Sequence, residues 1–413
     1  MSKKRWIARF GVCFALVCAT TAVGCGKQSD EEIKLTVWVS EADQPFAKEI
    51  ADKFQKANEG KRYRFVFDVQ GENEMATRVL GDVESAADVF SFPNDQLTQL
   101  VGGDALARIG GERLNLLKAQ NTADAVDSAT VKRGETDEVY GIPYTDNTFF
   151  LYYDKSVFTE RDVESIDGIL ARCTPAKKLG FLVSDGWYNS AFYFGKGLGY
   201  EVTYDDSLGE KSITCNFNND VGQAVTESIW KIVKDERVKA DADDSKIVAG
   251  IADGSIVAAF SGVWNRRAIE EALGERFGAV KLPTYTYGDG EQVQLTAFAG
   301  YKLLGINNYS AQKAEAMAFA DFYTNAENQI RRFELRSYLP TNIDARADER
   351  VKEDVVGAAI ASQLQYSKTQ KNVPSTLWDG LKGLGNAMLT GIQTGDFALQ
   401  TQLNACVAAI EKR

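Results

Sequence analysis

The sequence predicts an α/β protein folded around two cores, and three observations carry that prediction. Residues 33–69 read as strand, helix and strand; alternating short apolar strands and helices resume beyond residue 88; and about 389 residues remain once an N-terminal export segment is set aside. At roughly 100–200 residues per domain, that length divides into two.

The export segment comes first. Lys3, Lys4, Arg5 and Arg9 precede an apolar run from Phe10 to Val23, which ends in Ala22-Val23-Gly24-Cys25. A basic head, an apolar stretch too short to span a bilayer and small residues before a cut site make a secretory signal over residues 1–24. Small residues just before a cysteine resemble a bacterial lipobox, which implies that Cys25 is lipidated after cleavage and holds the mature chain at the outer face of the membrane. Ala22 stands where such boxes favour Leu, so an ordinary signal peptide stays open. Residues 25–32 are short and polar, as a tether between lipid and folded body would be.

The folded body opens at Ile33 to Val39, a β-branched and nearly unbroken apolar run that reads as a buried strand. Pro45 then starts a helix in which Phe46, Ile50, Phe54 and Ala57 share one face, and Gly60 ends it. Tyr63, Phe65, Phe67 and Val69 alternate as a second strand, so the unit is βαβ with parallel pairing. A polar helix near 73–85 and a strand from Asp88 to Phe92 follow. Past Gly141-Ile142-Pro143, the pattern predicts strands at 149–153, 179–183, 213–217, 255–260 and 301–306. Helices are predicted near 188–195, 221–233, 312–324 and 327–336, and from Val351 the chain reads as helical, interrupted at Pro374. No internal repeat and no Pro/Gly/Ser linker appears, which favours two domains joined by strand crossovers over beads on a string.

Composition narrows the function. The chain has no histidine, which removes Ser-His-Asp and Cys-His nucleophile pairs, His-ligated zinc and the usual proton shuttle. Paired carboxylates remain open as catalytic groups. Losing residues 1–24 removes four positive charges and takes the net charge from −11 to −15, which opposes nucleic-acid partners. Cys173, Cys215 and Cys406 remain with no CxxC spacing and hence no cluster or zinc ligand set; a Cys173–Cys215 disulfide and buried thiols both stay open. No cofactor is implied.

Several fragments, in order, resemble the extracellular solute-binding proteins of ABC importers, in particular the maltodextrin-binding branch. They are Lys34-Leu35-Thr36-Val37-Trp38-Val39, Asp88-Val89-Phe90-Ser91-Phe92 with Asp95, Gly141-Ile142-Pro143-Tyr144 with Leu151-Tyr152-Tyr153-Asp154-Lys155, Gly254 to Trp264, Gly300 to Asn307, and Tyr338-Leu339-Pro340-Thr341. The resemblance implies a two-lobed periplasmic-binding-protein-like fold (type II) with a ligand cleft between lobes joined by strand crossovers. It places residues 33–143 and about 298–344 in an N-terminal lobe, and 144–297 and about 345–413 in a C-terminal one. It implies an oligosaccharide ligand of the maltodextrin class, importer permease subunits as partners, and capture rather than chemistry. A monomer is expected.

Sugars present C–H faces that stack on aromatic rings and hydroxyl rims that pair with carboxylates and amides. The candidate ligand residues follow from that chemistry and from the resemblance. Glu41 and Asp43 lie in the loop after the first strand, at the carboxyl edge where open α/β sheets bind ligands; a solvated loop is the alternative, and the family's Asp-Lys pair there is not reproduced. Phe92 falls at a family stacking position or in the core, and Asp95 at a hydroxyl-binding position or a helix cap. Asp146 and Asn147 follow the first crossover. Trp187 and Tyr188 sit after a second-lobe strand, Trp378 at another stacking position, and Lys382 one helical turn later where an Arg is expected. Trp264 is the strongest of the set, because a Trp in the turn Ser261-Gly262-Val263-Trp264 suits a cleft better than a core. Trp38 and Trp230 read as core. An exported carbohydrate-active enzyme using Asp95 and Asp146 is the rival from another class, and a surface adhesin is a second.

Overall fold

The computed structural model describes residues 32–412; Cys25 and the predicted signal lie outside the described residues. The first strand, Glu32–Val39, buries Leu35, Val37 and Val39 completely, as its apolar run predicts. Helix Gln44–Ala57 begins at a proline and turns Phe46, Ile50 and Phe54 inward, each side chain contributing about 1.5–3 kcal/mol by leaving water. It returns the chain to strand Arg62–Val69, which pairs in parallel with the first strand from Glu32↔Arg62 to Val39↔Val69.

Two large sheets result among the described residues, accompanied by three smaller ones; the first packs on one core, and the second on a large core through Leu151 and Tyr153 and on a smaller one through Phe150 and Tyr152. The first has six strands: Ser367–Thr369, Ala297–Ile306, Val89–Pro93, Glu32–Val39 and Arg62–Val69 in that order, with Ile142–Asn147 also paired to Ala297–Ile306. The second has five: Val238–Lys239, Lys178–Gly180, Ile256–Ser261, Phe150–Asp154 and Phe277–Val280. Helices cover both, which makes the molecule an α/β protein.

The chain passes between the sheets along strands. Ile142–Asn147 belongs to the first sheet and Phe150–Asp154 to the second, with only Thr148 and Phe149 between them. Within Ala297–Ile306, Phe298 packs in the second core and Ala299 in the first. Its opening residues, Ala297 to Ala299, pair with Ser367–Thr369, a short strand that sequence periodicity did not show. One further link is a hairpin of strands Tyr200–Tyr204 and Glu210–Cys215, whose tip residue Leu208 leaves the second half and packs on the first core beside Gly102. Cys173, Cys215 and Cys406 are free, buried thiols, which settles the cysteine question in favour of packing.

Candidate ligand cleft

The second half supplies a cluster of aromatic rings. Asp185 caps helix Gly186–Gly195 by accepting from the Trp187 backbone N–H at 2.8 Å, and so sets where Trp187 leaves the helix start. The Trp187 ring lies 5.0 Å from Phe149, 5.6 Å from Tyr188 and 5.7 Å from Trp264, centroid to centroid. Its indole N–H donates to Gln370 Oε1 at 3.1 Å, and that of Trp264 to Asp244 Oδ1 at 2.9 Å. Both indoles are part-buried, with one side on the core and the other on a pocket of about 170 Å³ lined by Asp185, Trp187, Tyr188, Asp244 and Trp264 among others. Gly262 makes the Trp264 placement available: a Cβ there would come within 2.1 Å of the ring.

The structure therefore brings together Trp187, Tyr188 and Trp264 from the predicted set. Tyr188 is the least accessible, 7% exposed and edge-on to Phe149 at 4.7 Å, so it backs the pocket more than it lines it. Trp378 is close by: its backbone and ring edge sit 3.3 Å from where a Cβ on Gly186 would stand, and its ring meets Phe298 at 5.3 Å. Lys382, exposed on the same helix as Trp378, is near enough to Asp185 to draw its carboxyl down, while burial pushes it up more strongly.

Asp95, from the first half, meets this cluster through Gln370, which bonds both it and Trp187. Asp95 is part-buried with Oδ1 unpartnered; burial pushes its carboxyl up to about 6, against hydrogen bonds from Gln370 and backbone N–H groups. Asn147 Oδ1 and Thr148 Oγ1 at the first crossover, and the Tyr200 hydroxyl in the second half, are likewise enclosed without a partner. Orphaned polar atoms of this kind cost about 1–3 kcal/mol each, and sites that receive a ligand are where such costs persist.

Other predicted residues do different work. Phe92 is a correction: it is 0% exposed, packs on Phe90 at 5.7 Å and lies under Gly141 and Gly305, so it belongs to the first core and lines no cleft. Asp43 is not a solvated loop residue. It is 1% exposed and pairs at 2.7 Å with Arg332, whose guanidinium also stacks on Tyr144 and Tyr338 at 4.7 and 4.4 Å. Burial alone would raise the Asp43 carboxyl, but Arg332 and Lys302 outweigh it and hold it below the ordinary range. Asp146, also 1% exposed, pairs with Arg346. Glu41 remains exposed in the turn after the first strand. Sequence reasoning missed Asp244 and Gln370. The only local sign of Asp244 is the acidic run Asp241-Ala242-Asp243-Asp244 opening a helix, and Gln370 lies in a stretch read as helical.

With this geometry in view, the comparisons decide the family. The chain matches the bacterial extracellular solute-binding protein family over residues 49–358, three quarters of its length. It belongs to that family. Maltodextrin-binding protein MdxE of Bacillus subtilis (strain 168) is 25% identical over 403 residues, 93% of this chain and 91% of that one. The galactooligosaccharide-binding protein of the same organism is 23% identical over 406 residues, 92% of each chain. A structure solved with acarbose is 31% identical and superposes with a TM-score of 0.81, covering 92% of this chain and 99% of the other. The two-lobed fold of solute-binding proteins is thus the fold of this chain, and as a member of an extracellular family it works outside the cell.

Proposed function

We propose that this protein captures an α-linked glucan oligosaccharide of the maltodextrin class and delivers it to the permease of an ABC importer without hydrolysing it. The observation that carries the reading is the pair of part-buried indoles, Trp187 and Trp264, 5.7 Å apart, each tied at its N–H and bordered by Asp185 and Asp244. Rings so placed offer stacking faces to sugar C–H groups at about 1 kcal/mol each beyond area burial, and the Asp185 carboxylate offers a hydroxyl acceptor. The maltodextrin-binding relative supports the ligand class.

In this reading Trp187, Tyr188, Trp264 and Trp378 form the stacking side, with Asp95, Asn147 and Lys382 facing it. Asp43 and Asp146 act through the arginines they hold, and Glu41 at the rim. The N-terminal lobe comprises 33–143 and about 298–344, the C-terminal lobe 144–297 and about 345–413; the passage from one core to the other between Phe298 and Ala299 supports the second boundary, while Phe333, Tyr338 and Leu339 pack across it on Phe150 and Tyr152. The mature chain begins at a lipidated Cys25, acts as a monomer and needs no nucleic acid.

Calorimetry with maltotriose and with a β-linked galactooligosaccharide tests the ligand, and chromatography of the incubated sugar tests turnover. Heat with maltotriose and no shorter products is the expected result. Heat only with the galactooligosaccharide would move the ligand class towards the other relative, and product release would replace a binding protein with an enzyme.

A further inference from the structure

We propose that Asp244 is the positioning residue of Trp264, an inference that rests on reading Trp264 as a sugar platform. Asp244 opens helix Asp244–Asp253, twenty residues ahead of the tryptophan, and its Oδ1 gathers three donors from the turn that carries the ring. Trp264 Nε1 donates at 2.9 Å, Asn265 Nδ2 at 2.7 Å and Ser261 Oγ at 3.5 Å. Asn265 Nδ2 also donates to Ser261 Oγ at 2.9 Å, which closes the cluster on itself.

The ring needs such a tie because packing holds it from one side only. Trp264 is part-buried against the core, and Gly262 leaves open the space the ring occupies. An indole with one free face has alternative rotamers, and a fixed acceptor at its N–H selects one. Trp187 has the same arrangement, with Gln370 Oε1 as its acceptor at 3.1 Å. The two ties set the mutual angle of the rings, 45°, before any sugar arrives. Preorganisation of this kind raises affinity by removing the ordering cost from the binding step. Asp244 itself is exposed, so its replacement opens no apolar cavity, and Asn265 keeps its bond to Ser261.

The test is a double-mutant cycle read with maltotriose by calorimetry, together with the near-UV circular dichroism of the sugar-free proteins. Asp244→Ala should weaken binding about three- to tenfold, the range of one hydrogen bond. Asp244→Asn keeps an acceptor oxygen and should recover most of the loss. In a Trp264→Phe background, which lacks the indole N–H, Asp244→Ala should add no further loss. The tryptophan bands that Trp264→Phe removes should already be diminished in Asp244→Ala. Wild-type affinity in Asp244→Ala, an equal loss in the Trp264→Phe background, or unchanged tryptophan bands would each overturn the proposal. Should the wild type bind no glucan at all, the platform reading fails instead, and the tryptophan bands of the sugar-free proteins still decide whether Asp244 orders the ring.

Discussion

Asp95 shows how a single residue can be placed at a cost. Its ordinary carboxyl value of 3.8 rises to about 6 because burial disfavours the charge more than Gln370 and the backbone N–H groups restore it. The folded state therefore keeps a proton that the unfolded chain has lost between about pH 4 and 6. The stability tied to that proton is complete below about pH 4 and is lost as pH rises through 6. A shift of this size corresponds to about 3 kcal/mol, which partial exposure trims to about 1–2 kcal/mol. Asp95→Asn should match wild type in urea-unfolding free energy near pH 4 and exceed it by that amount at pH 7.5, while binding sugar more weakly for want of a charged acceptor. Equal unfolding free energies at both pH values would show that burial does not penalise the carboxylate. Asp95 could be singled out in the sequence; the partners of its fellow acids could not. Asp43 reaches Arg332 across 289 residues, and a contact at that separation leaves no local pattern.

At the scale of elements, periodic segments were legible and close approaches were not. The helices at 44–57, 220–233 and 326–336, and the strands of the βαβ unit, fall within a residue or two of their predicted positions because each turns one apolar face to a core. The strands and helices between Arg108 and Tyr140 escaped prediction: they are short, and helix Gly111–Gln120 buries only Leu117. Strand Ser367–Thr369, with three part-buried residues, lacks alternation as well. Helix Ser375–Thr394 reads as helical, but what its glycines do emerges only from packing. A Cβ on Gly385 would stand 2.1 Å from the Val183 carbonyl oxygen, just ahead of the turn that carries Asp185 and Trp187. Backbone cannot yield as a side-chain tip can, so Gly385→Ala should cost about 2–4 kcal/mol despite the better helix propensity of alanine. A lowered urea midpoint would match this, whereas a small gain of the kind alanine gives in an open helix would mean the two segments separate freely.

The whole molecule joins two cores through a few strand passages, at 147–150 and 297–299, and through the Leu208 tip of one hairpin. A further buried cluster, in which Phe333, Tyr338 and Leu339 pack on Phe150 and Tyr152, also bridges the halves, and rotation about short strand passages is hinge motion. Length and the family resemblance already gave two lobes with a boundary near residue 298, but that the single strand Ala297–Ile306 serves both cores became visible only in three dimensions, because its ten buried residues carry no break where they pass from one core to the other. A ligand that touches Trp264 on one side and Asp95 on the other would favour the closed arrangement by its extra contacts there, and by no more than that difference. A compact chain of this size has a radius of gyration of about 21 Å. Small-angle scattering should give a larger radius for the empty protein and a fall towards that value with saturating maltotriose. At a hundredfold excess over its dissociation constant, the sugar should also stabilise the protein by about 2.7 kcal/mol. Stabilisation with no change in radius would mean that the sugar binds a cleft already closed, with the hinge playing no part in capture.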